Sequence, residues 1–346
     1  MARINTMLVI FVFTGVSVCP GQPAKGQQEL RAKAMENLFP LRKAPIGRAD
    51  PIWAERVALG RLLFFEPRVS LDGTVSCSRC HLPQLHATDA LPLSVGTMGR
   101  PNPRNAPTVL NAALHISQHW RGDRTSLEDQ ATRALLGPSS YGNPTFQLPM
   151  DRLKAIEGYA QLFKRAFPAD PDPVTPENWG VAIGAYERTL LTPSRLDAWL
   201  EGNDGSLTPN ERKGLERFLD LGCADCHRGV GLGGSMYEKF GIHQDYWEAT
   251  GTKHIDKGRA DVTGDPRDLY VFKVPSLRNV AMTAPYFHDG SVADLREAVQ
   301  IMSRTQLGQE LGVPELEKLL SFLRALTGDV PKELAHVPAL PEGAFR

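Results

Sequence analysis

A mainly α-helical chain of two domains is the fold this sequence predicts, and three observations carry the prediction. Apolar residues recur at helical spacing in seven segments, strand signals are sparse, and a C-x-x-C-H motif occurs once in each half, at Cys77–His81 and Cys223–His227. A length of 346 residues allows two domains, each with its own core.

The helical segments are Trp53–Phe65, Ser126–Leu136, Met150–Phe167, Glu177–Leu190, Thr208–Leu221, Ala293–Met302 and Pro314–Leu326. The clearest start is Thr208-Pro209-Asn210-Glu211, where Thr208 is placed to cap and Glu211 to close a capping box. Because the turn-rich Glu201–Ser206 precedes it, residues 27–205 are assigned to the first domain and 206–346 to the second. Ahead of both, Arg3, the apolar Met7–Val18 and the turn-forming Pro20, Gly21 and Pro23 read as a signal peptide over residues 1–26, too short to span a bilayer. Export to the periplasm is the expectation. The 39 basic and 39 acidic residues cancel without long runs of one sign, which excludes nucleic acid as an expected partner.

Four of the five cysteines fall in the two motifs. In Cys77-Ser78-Arg79-Cys80-His81, thiols three apart and an imidazole four from the first share one face of a helical turn, and Cys223-Ala224-Asp225-Cys226-His227 repeats this. C-x-x-C alone leaves zinc binding or thiol redox chemistry open. With nine histidines in the chain, chance places one after a given pair only about one time in forty. The histidines therefore favour two covalently attached c-type haems: Cys77, Cys80, Cys223 and Cys226 bond the porphyrin edge, and His81 and His227 ligate iron. A four-cysteine zinc site is the competing reading. The fold class becomes two cytochrome c-like domains, with the long polar stretches Ser94–Asn105 and Gly229–Asp265 as walls around a flat cofactor.

The segments Leu59–Phe65, Arg104-Asn105-Ala106-Pro107-Thr108, Pro275-Ser276-Leu277-Arg278-Asn279 and Ala284–Gly290, together with the motif order, resemble the bacterial di-haem cytochrome c peroxidases, a family that includes the MauG enzymes. The resemblance runs from about Ala44 to Gly328. It implies that the haem on His81 reacts with hydrogen peroxide and that the haem on His227 passes electrons, supplied by a small cytochrome c or cupredoxin. It also implies that Met302 is the distal ligand of the second haem, where MauG enzymes have tyrosine, and that Trp120 lies between the haems. Asn105, Thr283 and Pro285 match an inter-haem calcium site, oxygen ligands being suited to calcium. A homodimer is implied by the resemblance alone.

Two positions depart from the family pattern. Thr97, beside Met98, stands where many of these peroxidases have a distal histidine, so the first haem is expected to be open unless Met98 ligates it. Ser140 stands where the family has a proton-relaying glutamate, and a serine hydroxyl is a poor base. Gln130 remains to hydrogen-bond peroxide. Glu128, Asp129 or water at Ser140 are the candidate substitutes, and His115 and His119 are the histidines able to enter the pocket, His119 first. His288 is expected to support the second haem. The expected function is a peroxidase; the alternatives are a MauG-like enzyme that oxidises a partner protein and a non-enzymatic electron carrier.

Overall fold

The computed structural model describes residues 25–42 and 51–343. The signal peptide read over residues 1–26 lies outside the described residues except for its last two. Among the described residues there are fifteen α-helices and one two-stranded sheet, and no helix is long and apolar enough to cross a membrane.

The predicted segments form α2 (Trp53–Phe64), α4 (Leu127–Ala134), α7 (Pro176–Glu187), α9 (Pro209–Asp220), α13 (Leu295–Met302) and α14 (Val313–Ala325). Thr208 and Glu211 exchange both bonds of the capping box. The long segment at 150–167 divides into α5 (Gln147–Lys154) and α6 (Glu157–Ala166), because Ile156 adopts extended backbone while its side chain enters the core. The cysteine motifs form single turns, α3 (Cys77–Cys80) and α10 (Cys223–Cys226). The remaining helices are α1 (Lys25–Met35), α8 (Arg195–Leu200), α11 (Tyr246–Thr250), α12 (Ala260–Thr263) and α15 (Lys332–Ala335), and β1 (Tyr237–Lys239) pairs antiparallel with β2 (Val271–Lys273).

Each half is built on a helix pair that crosses at a glycine just ahead of its cysteine motif. A Cβ on Gly60 of α2 would lie 1.8 Å from the Ala182 carbonyl oxygen of α7, and one on Gly214 of α9 would lie 2.0 Å from that of Lys318 in α14. Backbones this close admit only glycine at the crossing.

The cores do not divide at residue 205. Ala34 of α1 and Leu38 just beyond it, with Leu196, Trp199 and Leu200 of α8, pack into the second core against Leu215, Phe218, Leu319 and Phe322. In return, Leu334 of α15 packs against Phe64, Phe65, Tyr186 and Leu190 of the first half. Arg61 and Arg68 donate to carbonyls of the C-terminal tail at Glu333, His336, Pro341 and Gly343. The two ends are thus exchanged, and the turn at Glu201–Ser206 that suggested the boundary is a local break between α8 and α9 inside one core. A buried ion pair fastens the exchange: Arg278 donates to both carboxylate oxygens of Asp197 at 2.7 and 2.8 Å, with side chains 1% and 3% exposed. The same carboxylate accepts from the N–H of Leu41 and from Ser194.

A further relation between the halves is carried by backbone conformation. Residues 107–124 and 275–292 run through the same turns in register without a gap. Thr108 Oγ1 accepts from Leu110 N–H and donates to the His86 carbonyl; Ser276 Oγ accepts from Arg278 N–H and donates to that of Gly231. Asn111 and Asn279 are both left-handed, φ 63° and 62°, and both amides donate to Thr192 Oγ1. His119 and Phe287, then Gly122 and Gly290, are left-handed in turn, inside matching bridges Gln118–Arg124 and Tyr286–Val292. The segments also bond reciprocally: Asn105 N–H donates to the His288 carbonyl at 2.8 Å, and Lys273 N–H donates to the Trp120 carbonyl at 2.7 Å. Trp120 and His288 are equivalent positions of this repeat and meet edge to face, ring centroids 6.4 Å apart.

Candidate functional site

At each cysteine motif the histidine leaves its single helical turn with its N–H bonded to the first cysteine's carbonyl, at 3.0 Å for His81 and 2.9 Å for His227. His81 Nδ1 lies 3.2 Å from the Ala87 carbonyl oxygen and His227 Nδ1 lies 3.1 Å from that of Pro275. A carbonyl oxygen can only accept, so Nδ1 carries the proton and Nε2 keeps its lone pair, the tautomer a metal ligand needs. Burial lowers the pKa of both imidazoles, that of His227 to about 4, which keeps them neutral.

The thiols choose among the readings the motifs allowed. Burial pushes Cys77 and Cys223 up to about 12 and Cys80 up to about 11. Thiols held protonated in this way are poorly suited to thiolate exchange. The two pairs also sit in different cores, Cys77 against Leu63-side residues of the first half and Cys223 against those of α9 and α14, so they do not assemble one four-cysteine site. Thioether attachment, which consumes the thiol protons, fits the residues at both motifs.

Around the first motif, the loop carrying Thr97 and Met98 closes onto the turn carrying Ser140: Thr97 N–H donates to the Ser140 carbonyl at 3.0 Å. Thr97 is fully buried with its methyl against Gly142. Met98 is left-handed, 63% exposed and anchored through its N–H to Asp72, so its thioether points to solvent and not inward to an iron. Gln130 is half-buried on α4. The two carboxylates considered as substitutes beside it are engaged: Glu128 pairs with Arg188, and Asp129 accepts from Thr125 and pairs with Arg133 at 2.6 Å. Sequence reasoning missed Glu187. It lies at the end of α7, 3% exposed, and burial, reinforced by the charge of Glu128, raises its pKa to about 8, so it is a neutral acid whose charge would be felt at Cys77. Its signal was a carboxylate directly after the apolar and small-residue run Trp179–Tyr186.

Between the halves, the Trp120 indole N–H donates to the Asn105 carbonyl at 2.9 Å. The amide nitrogen of Asn105 donates to the Leu91 carbonyl, which leaves its side-chain oxygen available. Thr283 and Pro285 lie half-buried on the turn before His288. His288 is buried against Phe272, with ring centroids 4.3 Å apart, and its Nε2 has no partner among the described residues. Met302 ends α13 against the aromatic cluster of Phe240, Tyr246 and Phe272, immediately before a π-helical turn at Ser303–Leu307. His119 is 39% exposed and bonds Asp123 at 3.3 Å. His115 is drawn to the other half, with its Nδ1 3.4 Å from Lys273 Nζ and its ring against Gly234. No hydrogen bond among the described residues joins either histidine to Gln130 or Ser140.

Known proteins place this arrangement. Residues 54–205 match the di-haem cytochrome c peroxidase family. The chain is 40% identical to cytochrome c551 peroxidase of Nitrosomonas europaea, over 86% of each chain. The chain belongs to the di-haem cytochrome c peroxidase family. Other members of this family among its relatives are cytochrome c551 peroxidase of Pseudomonas aeruginosa, 41% identical over 85% of this chain and 84% of that protein, and the methylamine utilization protein MauG of Methylorubrum extorquens, 33% identical over 82% and 79%. Among solved structures, a MauG-like protein associated with microbial copper homeostasis aligns with a TM-score of 0.75 at 30% identity, covering 87% of this chain and 96% of that one. The diheme peroxidase BthA of Burkholderia thailandensis shares the fold, with a TM-score of 0.67.

Proposed function

We propose that this enzyme reduces hydrogen peroxide to water with electrons from a small redox protein, a cytochrome c or cupredoxin, in the periplasm. The observation that carries the reading is the pair of C-x-x-C-H turns, each with its imidazole proton on a backbone carbonyl, in a chain 40% identical to a cytochrome c551 peroxidase. When bound, two haems c supply peroxide reduction at the first site and electron storage at the second.

The chain's own residues then divide as follows. Cys77, Cys80 and His81 would hold the first haem, and Cys223, Cys226 and His227 the second, with Met302 as a further iron ligand. Gln130 orients peroxide by hydrogen bonding, and the Ser140 hydroxyl with water moves the proton that the family's glutamate would carry. Trp120, fixed by Asn105, offers an aromatic path between the halves. The Asn105 side-chain oxygen and the carbonyls of Thr283 and Pro285 hold calcium, a reading supported by the absence of any hydrogen-bond donor to those two carbonyls among the described residues. His119, bonded to Asp123 near His81, tunes the charge beside the first site.

The test is an optical and EPR spectrum of the oxidised protein, then one equivalent of hydrogen peroxide without prior reduction, then turnover with ferrocytochrome c. One high-spin and one low-spin haem, a prompt response to peroxide, and ferrocytochrome oxidation are expected. Two low-spin haems silent to peroxide would overturn the open first site. A prompt response without ferrocytochrome turnover would favour the MauG-like oxidation of a partner protein.

A further inference from the structure

The π-helical turn at Ser303–Leu307 follows Met302 without a break, and single π turns inside helices are frequent at functional sites. Its own side chains hold its shape. Thr305, fully buried, donates through Oγ1 to the Ile301 carbonyl at 2.8 Å, and Ser303 Oγ donates to the Gln309 carbonyl at 2.8 Å. Met302 and Gln306 stand four residues apart and so share a face of the turn. Helical side chains lean toward the N-terminus, which brings the Gln306 amide back toward Met302.

That amide is bonded at both ends to the segment after β1. Its Oε1 accepts from the Gly241 N–H at 2.7 Å, and its Nε2 donates to the Lys239 carbonyl at 2.9 Å. An N–H can only donate and a carbonyl only accept, so the orientation of the amide is fixed. The two bonds bracket Phe240 as the peptide groups of a neighbouring parallel strand would. A third bond, from the His243 N–H to the Thr305 carbonyl at 2.8 Å, joins the same segment to the turn. Phe240 is 8% exposed; its N–H donates to the Tyr270 carbonyl at 2.9 Å, and its ring lies 5.0 Å from those of Tyr246 and Phe287, centroid to centroid. Met302 packs against this aromatic cluster. Methionine is unbranched and flexible, so the wall beside it decides where its sulfur rests.

We infer that Gln306 is a positioning residue for Met302: by bracketing Phe240, its amide fixes the aromatic wall that keeps the Met302 thioether on the iron of the haem held by His227. The inference rests on the reading of Met302 as an iron ligand. Without the clamp, the segment at 239–241 keeps its bond to Tyr270 and loses its tie to the turn that carries Met302. A soft thioether then yields more readily to a nitrogen ligand.

The test follows the near-infrared methionine-to-iron charge-transfer band of the oxidised holoprotein while imidazole is added, in the wild type, Gln306→Met and Phe240→Leu. Imidazole also reaches an open first haem, but only displacement of a methionine removes this band. Gln306→Met keeps the length of the side chain and deletes both bonds; half-displacement should then need about tenfold less imidazole, the lower end of what partners behind a metal ligand contribute. Phe240→Leu keeps the clamp and removes the ring, and should shift in the same direction. If Gln306→Met does not mature, Gln306→Glu, which still accepts from Gly241 but cannot donate to Lys239, should show a smaller shift of the same sign. A band absent from the wild type would remove Met302 as a ligand, and this inference with it. A band present in the wild type, with half-displacement unchanged within about twofold in a matured Gln306 variant, would overturn the role of Gln306 alone, and a lower melting temperature without that shift would show that the clamp serves stability only.

Discussion

The Thr97 N–H donates to the Ser140 carbonyl at 3.0 Å, so the two positions at which the first site departs from the family pattern are bonded neighbours. A loop without a histidine rests on a turn without a glutamate. Ser140 is half-buried, with its own N–H satisfied by the Gly137 carbonyl. Ser140→Glu therefore keeps the turn and adds a carboxylate. It is expected to raise the second-order rate constant for hydrogen peroxide by about 10²-fold, the usual scale of positioned acid–base catalysis, measured by stopped-flow absorbance.

Thr97→His tests the other half of the contact. A Cβ on Gly142 would come within 2.2 Å of the Thr97 methyl, so there is no room for an imidazole in the present turn. Overpacking of this kind costs about 1–3 kcal/mol, and relief comes by swinging the loop toward the haem. The expected variant has a low-spin first haem by EPR and no peroxide response until it is reduced. Met98→Ala, at an exposed side chain, should leave the spectrum unchanged and stability within about 0.5 kcal/mol.

Asp197→Ala removes the carboxylate shared by Arg278, Leu41 and Ser194. Stranding a buried guanidinium costs about 3–5 kcal/mol, to be read by urea unfolding. The bonds and charge of Arg278, against the cost of burial, hold Asp197 below the usual carboxylate range. Its contribution is thus full above the ordinary aspartate pKa and is lost as pH falls through the lower folded value; the Ala variant should show less acid sensitivity there than the wild type.

Glu187 has the opposite sign. Its folded pKa, about 8, lies above the unfolded value, so the stability of the wild type is full below about pH 4.3 and declines as pH rises toward 8. Glu187→Gln should unfold at a temperature similar to the wild type at pH 4 and at a higher one at pH 8. Thermal melts at both values of pH decide it; a gap that does not widen with pH would show that Glu187 is ionised in the fold.

The helices and the single turns of both cysteine motifs were legible because their signals are local: apolar spacing, a capping box, and C-x-x-C-H. The division of the chain was not, since the turn at Glu201–Ser206 reads as a boundary, whereas the packing of Trp199 and Leu38 with α9 and α14 is long-range. The repeat was hidden for a different reason. Trp120 and His288, or His119 and Phe287, share backbone conformation and not side-chain chemistry, so residue comparison passes over them. Within the candidate site, sequence named the residues at the first pocket's departures but could not show that Glu128 and Asp129 are already spent on arginines. Nor could it show that His115 belongs with Lys273, since that pairing is made only when β2 lies beside the turn after Asn111.

The exchange of ends also sets an order of assembly. A chain delivered N-terminus first presents Cys77-Ser78-Arg79-Cys80-His81 well before Leu316, Leu319 and Leu323 exist to close the core over Leu38, and the cover that Leu334 gives the first half arrives later still. Both cysteine motifs are therefore synthesised before either core is sealed, and the first half is closed only once α15 follows.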